Sequence, residues 1–355
     1  MDIGNETLSR IHKVLQIDEE WTVRRDRGFT WWAHRLAQHI DAGPPIDDYG
    51  IVLTRITSRI PILRNVRAAP HVVEQELARF NFTSDSYCYV YDPESGSIDS
   101  VQSGLVHEQT LEWRPRLLAS YFIIQLVHAE VDAPALRHAL GGRLASSRHP
   151  KRGRRIVPDD MLNVVGSVFL PRGRGKNLFS DKFEFETIYE QISRINAASF
   201  GASAMGLAIE VPFGDKTALI TLNAAEPNPR IGQGLGVFLR LPIFGSFDEC
   251  ARLAAWLNRK EADGEFLAHC VGAWSVKGEG ESNTVARCTF IPNMLHRPGL
   301  AMEAAAEAMQ KGRVVNALFN PGVPQPSVWD VIARRMGKEV PAIEGQREAA
   351  VALPQ

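Results

Sequence analysis

The sequence predicts an α+β protein that contains two tandem units, each with the element order α-β-β-β-α-β-β-α. Three observations support this prediction. The chain has 355 residues, and a length of this kind suits two domains of roughly 150 residues each. Its 45% of hydrophobic residues and 23% of charged residues are typical of globular proteins. The same order of helix-like and strand-like patterns, finally, can be assigned independently in each half, as expected of a repeat.

In the first half, helices are predicted where apolar residues recur at helical spacing: after Asn5 as the cap, over 72–80, and from Pro115, which suits a first helical turn. Strands are predicted at 21–26, 29–40, 50–60, 86–91 and 97–107. The segment Thr30 to Ile40 has a second interpretation as a helix, because Trp32, Leu36 and Ile40 lie four residues apart. We favour a strand, since Arg-Gly precedes the segment and the second half has a strand at the equivalent position.

The second half has clearer signals. Helices are predicted over 184–197, after the capping box Ser246-Phe247-Asp248-Glu249, and over 300–311, where Gly312 is expected to end an Ala-rich helix. Strands are predicted at 204–211, 217–223, 236–241, 268–276 and 284–291, because short turns rich in Gly join the hairpins.

These patterns divide the chain into a first unit (1–142), a basic linker (143–178), a second unit (179–320) and a terminal segment (321–355). The terminal segment is Pro-rich and contains a short predicted helix, Val328 to Met336, followed by a polar tail. The linker holds nine basic and two acidic residues between Arg143 and Lys176, a charge of +7, so the rest of the chain carries −8. Within the linker, Met161 to Leu170 is apolar enough to form an ordered element.

The sequence contains no recognisable catalytic motif, so we expect no catalytic residue, metal or cofactor and favour a protein that is not an enzyme. Asp159 and Asp160 follow Pro158, as in one nuclease metal site, but the acidic residue and Lys that complete such a site are missing downstream. A helix cap or a salt bridge to a neighbouring Arg is the preferred interpretation. An unrecognised enzyme site near Asp159, Asp160 and Arg154 is kept as an alternative.

Four cysteines lie far apart without metal-ligand spacing, so we expect each to be a small buried hydrophobic residue. The N-terminus lacks a basic region followed by an apolar run, so no signal peptide is expected. The most apolar stretch, Leu117 to Val131, is too short to cross a bilayer and is interrupted by polar residues. A soluble, cytoplasmic protein without a membrane partner is therefore predicted.

Four linker residues are candidates for contact with an anion or a nucleic acid: Lys151, Arg152, Arg154 and Arg155. Clustered Arg can pair with phosphates, but no aromatic residue for base stacking is interleaved with them. Because the rest of the chain is acidic, we favour contact with the protein itself or with another protein. A nucleic-acid-associated factor remains the alternative.

Trp31 and Trp32 are candidate protein-binding residues. Adjacent side chains on a strand point to opposite faces of the sheet, so one Trp is expected to face away from its own helices. Exposed apolar surface of this kind marks an interface. We therefore expect the two units to pack on each other as an intramolecular pseudo-dimer, or the outward Trp to bind a partner.

The order α-β-β-β-α-β-β-α, over roughly residues 5–140 and 184–312, resembles the type III secretion chaperone-like superfamily, which includes the YbjN-like proteins. The resemblance is one of topology, and it brings no family site residues. It implies that each unit is a twisted antiparallel sheet packed on helices, that units dimerise, and that the protein binds other polypeptides. It therefore suggests a bacterial protein-binding adapter or chaperone-like component, with another protein as its partner.

Overall fold

A computed structural model describes residues 2–48, 50–84, 86–168, 176–193, 198–203, 205–266, 269, 271–279 and 282–321. Within these residues the chain is a mixed α+β protein with two antiparallel sheets. The predicted helix Val328 to Met336 and the polar tail lie outside the described residues.

The first sheet and its helices are formed by residues 3–144. The helices are α1 (Ile3–Val14), α2 (Pro70–Phe82) and α3 (Arg114–Leu140). The strands are β1 (Thr22–Arg25), β2 (Gly28–Trp32), β3 (Ala37–Asp48), β4 (Ile51–Arg64), β5 (Cys88–Asp92), β6 (Ser97–Val106) and the short β7 (Arg143–Leu144). Their order across the sheet is β1-β2-β3-β4-β6-β5, and β7 pairs with the end of β4.

The linker contains the helix α4 (Asp160–Val168), so part of the predicted apolar segment is indeed ordered. The second half then forms the helices α5 (Lys182–Ser193), α6 (Phe247–Ala262) and α7 (Leu300–Phe319). Its strands are β8 (Ala198–Ser203), β9 (Gly206–Phe213), β10 (Lys216–Asn223), β11 (Gly234–Gly245), β12 (Ala273–Glu279) and β13 (Ser282–Pro292). Their order across the sheet is β8-β9-β10-β11-β13-β12.

Each half has four strands before its middle helix, not the three that the sequence predicts. In the first half, the predicted strand 29–40 is two strands separated by a bend at residues 33–36. The carboxylate of Glu130 on α3 holds this bend, since it accepts hydrogen bonds from the backbone N–H groups of Arg35 (2.9 Å) and Leu36 (2.8 Å). In the second half the additional strand is β8. Thr30 to Ile40 is thus not a helix.

Several helix ends differ from the predicted ones. Asp2, not Asn5, caps α1, because its side chain accepts hydrogen bonds from the backbone of Gly4 and Asn5. Helix α7 continues through Gly312 to Phe319. A Cβ at Gly312 would meet Val211 and Leu239 at 3.5 Å, an ordinary van der Waals distance, so the helix passes through this glycine without a strained backbone or a crowded contact. The predicted capping box of Ser246 and Glu249 is present at α6.

The two halves pack on each other through equivalent elements. Helix α2 packs on α6 and on β12, and α6 in turn packs on β5. Some side chains of each half also pack in the hydrophobic core of the other half. Tyr121 of α3 belongs to the core of the second half, whereas Ile231 and Phe290 belong to the core of the first half. The boundary between the halves is therefore a packed interface.

Candidate protein-binding sites

The two tryptophans of β2 are both buried, on opposite faces of the sheet. Trp31 has no exposed surface and lies in the first hydrophobic core, beneath α1 and α3. Trp32 is 7% exposed and its indole Nε1 donates a hydrogen bond to Ser147 Oγ (2.8 Å). The ring of His149 meets Trp32 edge to face, with centroids 5.0 Å apart. The outward Trp is thus covered by the linker and not by the second half.

Residues 145–159, called the basic segment below, lie across this outward face of the first sheet. Arg155 is its main anchor: its guanidinium pairs with Asp159 (3.1 Å), donates to the carbonyl oxygen of Trp32 (3.1 Å) and lies over the ring of Trp21. Arg152 pairs with Glu20 at 3.1 Å. Two of the four predicted anion-binding residues therefore have acidic partners in this chain. The other two, Lys151 and Arg154, are exposed.

The two adjacent acidic residues of the linker, Asp159 and Asp160, lie at the start of α4. One carboxylate oxygen of Asp159 accepts a hydrogen bond from the Met161 N–H (2.9 Å) at the start of α4, and the other pairs with Arg155. Asp160 is exposed in the first turn of α4. Among the described residues, no group of three His, Cys, Asp or Glu side chains is placed to hold a metal ion. The contacts of Asp159 are those of a helix cap and a salt bridge.

Cys88, Cys250 and Cys288 are buried. This placement matches the predicted role of small hydrophobic residues. Burial raises the pKa of the Cys250 thiol, which makes this side chain less reactive as a nucleophile. Cys270 lies outside the described residues.

The second half contains a buried ionic cluster that the sequence patterns do not predict. The carboxylate of Glu261 on α6 accepts hydrogen bonds from Trp274 Nε1 (2.7 Å) and Arg287 Nε (3.2 Å), and it pairs with Lys311 Nζ at 3.0 Å. The side chains of Glu261 and Lys311 are only 3% and 1% exposed. Burial by itself raises the pKa of Glu261, but the positive charges of Arg287 and Lys311 outweigh it, and the pKa lies below its ordinary value.

This cluster continues across the boundary between the halves. The Leu105 N–H on β6 donates a hydrogen bond to His269 Nδ1 (2.9 Å), and Lys311 Nζ donates to the carbonyl oxygen of His269. Burial, followed by the positive charges of Arg114 and Lys311, holds the pKa of His269 well below its ordinary value. The neutral ring can therefore accept the Leu105 hydrogen bond. Arg114 on α3 also pairs with Glu303 on α7 (3.1 Å).

A second polar contact joins the halves nearer the C-terminal end of α3. Arg230, in the loop between β10 and β11, donates two hydrogen bonds to the buried carboxylate of Asp132 (3.0 and 3.2 Å). The hydroxyl of Tyr89 donates to the same carboxylate (2.9 Å). Nearby, burial and the charge of Arg230 lower the pKa of His128 to about 4, so this imidazole is neutral near pH 7.

Both clusters are suited to holding the halves together rather than to proton transfer. A catalytic carboxylate needs access to a substrate, and a base needs a pKa near the working pH. Glu261 and Asp132 are buried, and donors from the protein surround each carboxylate. One signal in the sequence could have identified the first cluster: Glu261 follows Leu253 and Leu257 at intervals of four and therefore lies on the apolar face of α6.

A groove in the second half lies between α5 and α7. Its volume is about 400 Å³, and both helices line it together with the loop before α7. The lining residues are Asp181, Phe183, Glu184, Thr187, Ile188, Gln191, His296, Pro298, Gly299 and Met302. Phe183 is 77% exposed at its edge. The corresponding helices of the first half, α1 and α3, pack directly on each other.

One signal for this groove was present in the sequence. The predicted core face of the helix over 184–197 contains Phe185, Ile188, Ile192 and Ile195. The first three are buried as expected, and Ile195 lies outside the described residues. Phe183 does not belong to that face. A single exposed apolar residue is ordinary on a protein surface, so Phe183 indicates a binding surface only together with the groove beside it.

No protein-family model matches the chain, and neither a curated protein nor a solved structure is significantly similar to it. Over the residues that the structure describes, every helix is too short or too polar to span a membrane.

Proposed function

We propose that the chain is a non-enzymatic, protein-binding adapter or chaperone-like component of a bacterial multiprotein system, acting in the cytoplasm. We further propose that it consists of two copies of a type III secretion chaperone-like unit, each with one more strand than the sequence predicts. The identical strand order of the two sheets supports this proposal, because both have the form 1-2-3-4-6-5 when each is numbered along its own half.

The two units would form a pseudo-dimer within one chain. Dimers with two-fold symmetry use the same surface of both partners, so that each contact occurs twice. The contacts between α2 and β12 and between α6 and β5 are related in this way, and α2 and α6 contact each other directly. Two charged contacts add to the interface, Arg114 with Glu303 and Arg230 with Asp132.

The groove between α5 and α7 is the observation that carries the protein-binding proposal. Ligand pockets of proteins have volumes of about 300–1,000 Å³ and mainly apolar walls with a few polar groups. The groove has a volume of about 400 Å³ and lies beside the exposed Phe183. Helices α1 and α3, by contrast, fill the equivalent space in the first half with each other's side chains.

The experiment is a capture of partners from the native host, analysed by mass spectrometry with three forms of the protein. The unmodified protein and a Glu190→Lys control, changed on α5 but outside the groove, should capture the same proteins. A Phe183→Glu variant should lose them, because it places a charge at the apolar edge of the groove. If all three forms capture the same proteins in equal amounts, the groove is not the binding site.

The nucleic-acid alternative has less support. Arg152 and Arg155 already pair with Glu20 and Asp159 of the same chain, so they would have to exchange these partners for phosphates.

A further inference from the structure

The α5–α7 groove combines an apolar floor with acidic walls. Met302 of α7 supplies apolar surface and Phe183, which is 77% exposed, extends this surface at the edge, whereas Ile188 of α5 lies beneath it at 1% exposure. Asp181 and Glu184 supply negative charge. None of the lining residues is Lys or Arg. The charge of the groove is therefore negative, apart from any charge on His296.

One carboxylate oxygen in the groove lacks a partner. Asp181 Oδ1 accepts hydrogen bonds from the Phe183 N–H (2.9 Å) and the Glu184 N–H (3.4 Å), so Asp181 is partly occupied in capping α5. Glu184 Oε1, in contrast, is shielded from solvent and has no hydrogen-bond partner among the described residues. A buried acceptor without a donor costs free energy, and more so when it carries charge. A cationic donor that enters the groove would remove this cost once the Glu184 side chain turns this oxygen towards it.

We propose that the α5–α7 groove binds a basic, amphipathic segment of a partner protein. Apolar side chains of that segment would contact Met302 and Phe183, and an Arg or Lys beside them would pair with Glu184. This inference rests on the proposed protein-binding function and specifies the chemistry of the partner. The negative charge of the groove disfavours nucleic acids and anionic lipid surfaces, whereas its apolar floor offers nothing to a hydrated metal ion.

The probe is a fluorescently labelled 14-residue amphipathic peptide of Leu and Lys, and its counterpart has Glu at every Lys position. Fluorescence anisotropy with the full chain should show binding of the Lys peptide only. Glu184→Gln should weaken that binding about tenfold or more, because a hydrogen bond between charged groups is lost. Glu184→Lys should weaken it further. Glu190→Lys, which makes the same charge change outside the groove, should alter the affinity by less than about threefold.

Three results would overturn the inference. Equal binding of the Glu peptide would show that charge does not select the partner. An equal loss in Glu190→Lys and Glu184→Lys would show general attraction to an acidic surface. Binding of the Lys peptide by a variant ending at Pro321, but not by the full chain, would identify the chain's own terminal segment as the occupant. That segment contains Arg334 and Arg335 beside apolar residues.

The outcomes also separate this inference from the proposed function. If the capture of host proteins depends on Phe183 but not on Glu184, the chain binds proteins through the groove, and the inference that the partner is basic is wrong. If host proteins bind equally well without Phe183, the groove is not the binding site and this inference fails; if the unmodified chain captures no host protein at all, the proposed function itself fails. Unchanged circular dichroism and thermal unfolding of Glu184→Gln show that its effect is not due to misfolding.

Discussion

Replacement of Glu261 by Gln should destabilise the protein far more than any exposed charge change. The substitution keeps the shape of the side chain but removes the negative charge that Arg287 and Lys311 share at 3.2 and 3.0 Å. Both cations would remain buried, at 6% and 1% side-chain exposure. Glu307, at 3.8 Å from Lys311, is a weak substitute, because burial raises its pKa and so disfavours its charged form.

Breaking a buried ion pair by removing one partner costs about 3–5 kcal/mol. Typical proteins are stable by only about 5–15 kcal/mol, so this loss would be a large fraction of the free energy of unfolding. The assay is urea unfolding at pH 7 followed by tryptophan fluorescence, which Trp274 reports directly because its Nε1 donates to Glu261. Glu265→Gln is the control, because the ion pair of Glu265 with Lys260 is half exposed and should contribute less than about 1 kcal/mol.

A loss below about 1 kcal/mol in Glu261→Gln would refute the reasoning, since the buried cations would then not depend on this carboxylate. A double-mutant cycle adds a second test. Lys311→Met removes one of the two cations, so the double variant Glu261→Gln/Lys311→Met should lose less stability than the sum of the single variants. Additive losses would show that Glu261 and Lys311 act independently.

Three further predictions follow from the polar contacts and the linker. The free energy of unfolding should fall as the pH is lowered from about 6.5 towards 4. In the unfolded state both histidines take up a proton at the ordinary His pKa, whereas in the folded state the pKa of His128 is about 4 and that of His269 is also lowered. The unfolded state therefore binds more protons in this pH range and is favoured as the pH falls. The His128 contribution is about 2–3 kcal/mol, and a His128→Asn variant should show a flatter pH dependence in urea unfolding. Light trypsin treatment should cut first between Arg148 and Lys176, and the two fragments should elute together on size exclusion; early cuts throughout either half would contradict the domain division. The unmodified protein should bind nucleic acid only weakly, and this binding should disappear near physiological salt. Sub-micromolar affinity at that salt would favour the nucleic-acid alternative if changing the three linker residues Arg152, Arg154 and Arg155 to Ala abolishes it.

The α+β class and most helices and strands could be predicted because local signals determine them. The capping box at Ser246 and the alternation of Trp31 and Trp32 across β2 are examples, since each depends only on neighbours in the sequence. The bend at residues 33–36 could not be predicted in this way. It depends on Glu130, which is about a hundred residues away in the sequence and accepts the N–H groups that would otherwise continue a strand. The strand β8 was missed because Ala, Ser and Gly dominate it, and these residues give little strand signal.

The candidate sites were harder to predict because they depend on which elements meet. The sequence indicates that one Trp of β2 faces outwards, but not that Ser147 and His149 of the linker cover it. The groove depends on the separation of α5 from α7, a property of tertiary packing. Buried charged residues such as Lys311 resemble surface residues in a sequence, because their partners come from other elements.

If the two halves are copies of one unit, the differences between them leave a groove in the second copy and close the equivalent space in the first. A symmetric dimer of identical chains must present every site twice, whereas two copies in one chain can diverge. In the first half, α1 closes on α3, and the basic segment covers the outward face of the sheet. In the second half, a groove separates α5 from α7, and Phe183 lies at its edge. The loop between β10 and β11 also reaches across, where Arg230 binds Asp132 of the first half. The first half thus packs on the half that contains the groove through buried contacts. A groove whose walls are held in place before binding loses less conformational entropy when a partner binds.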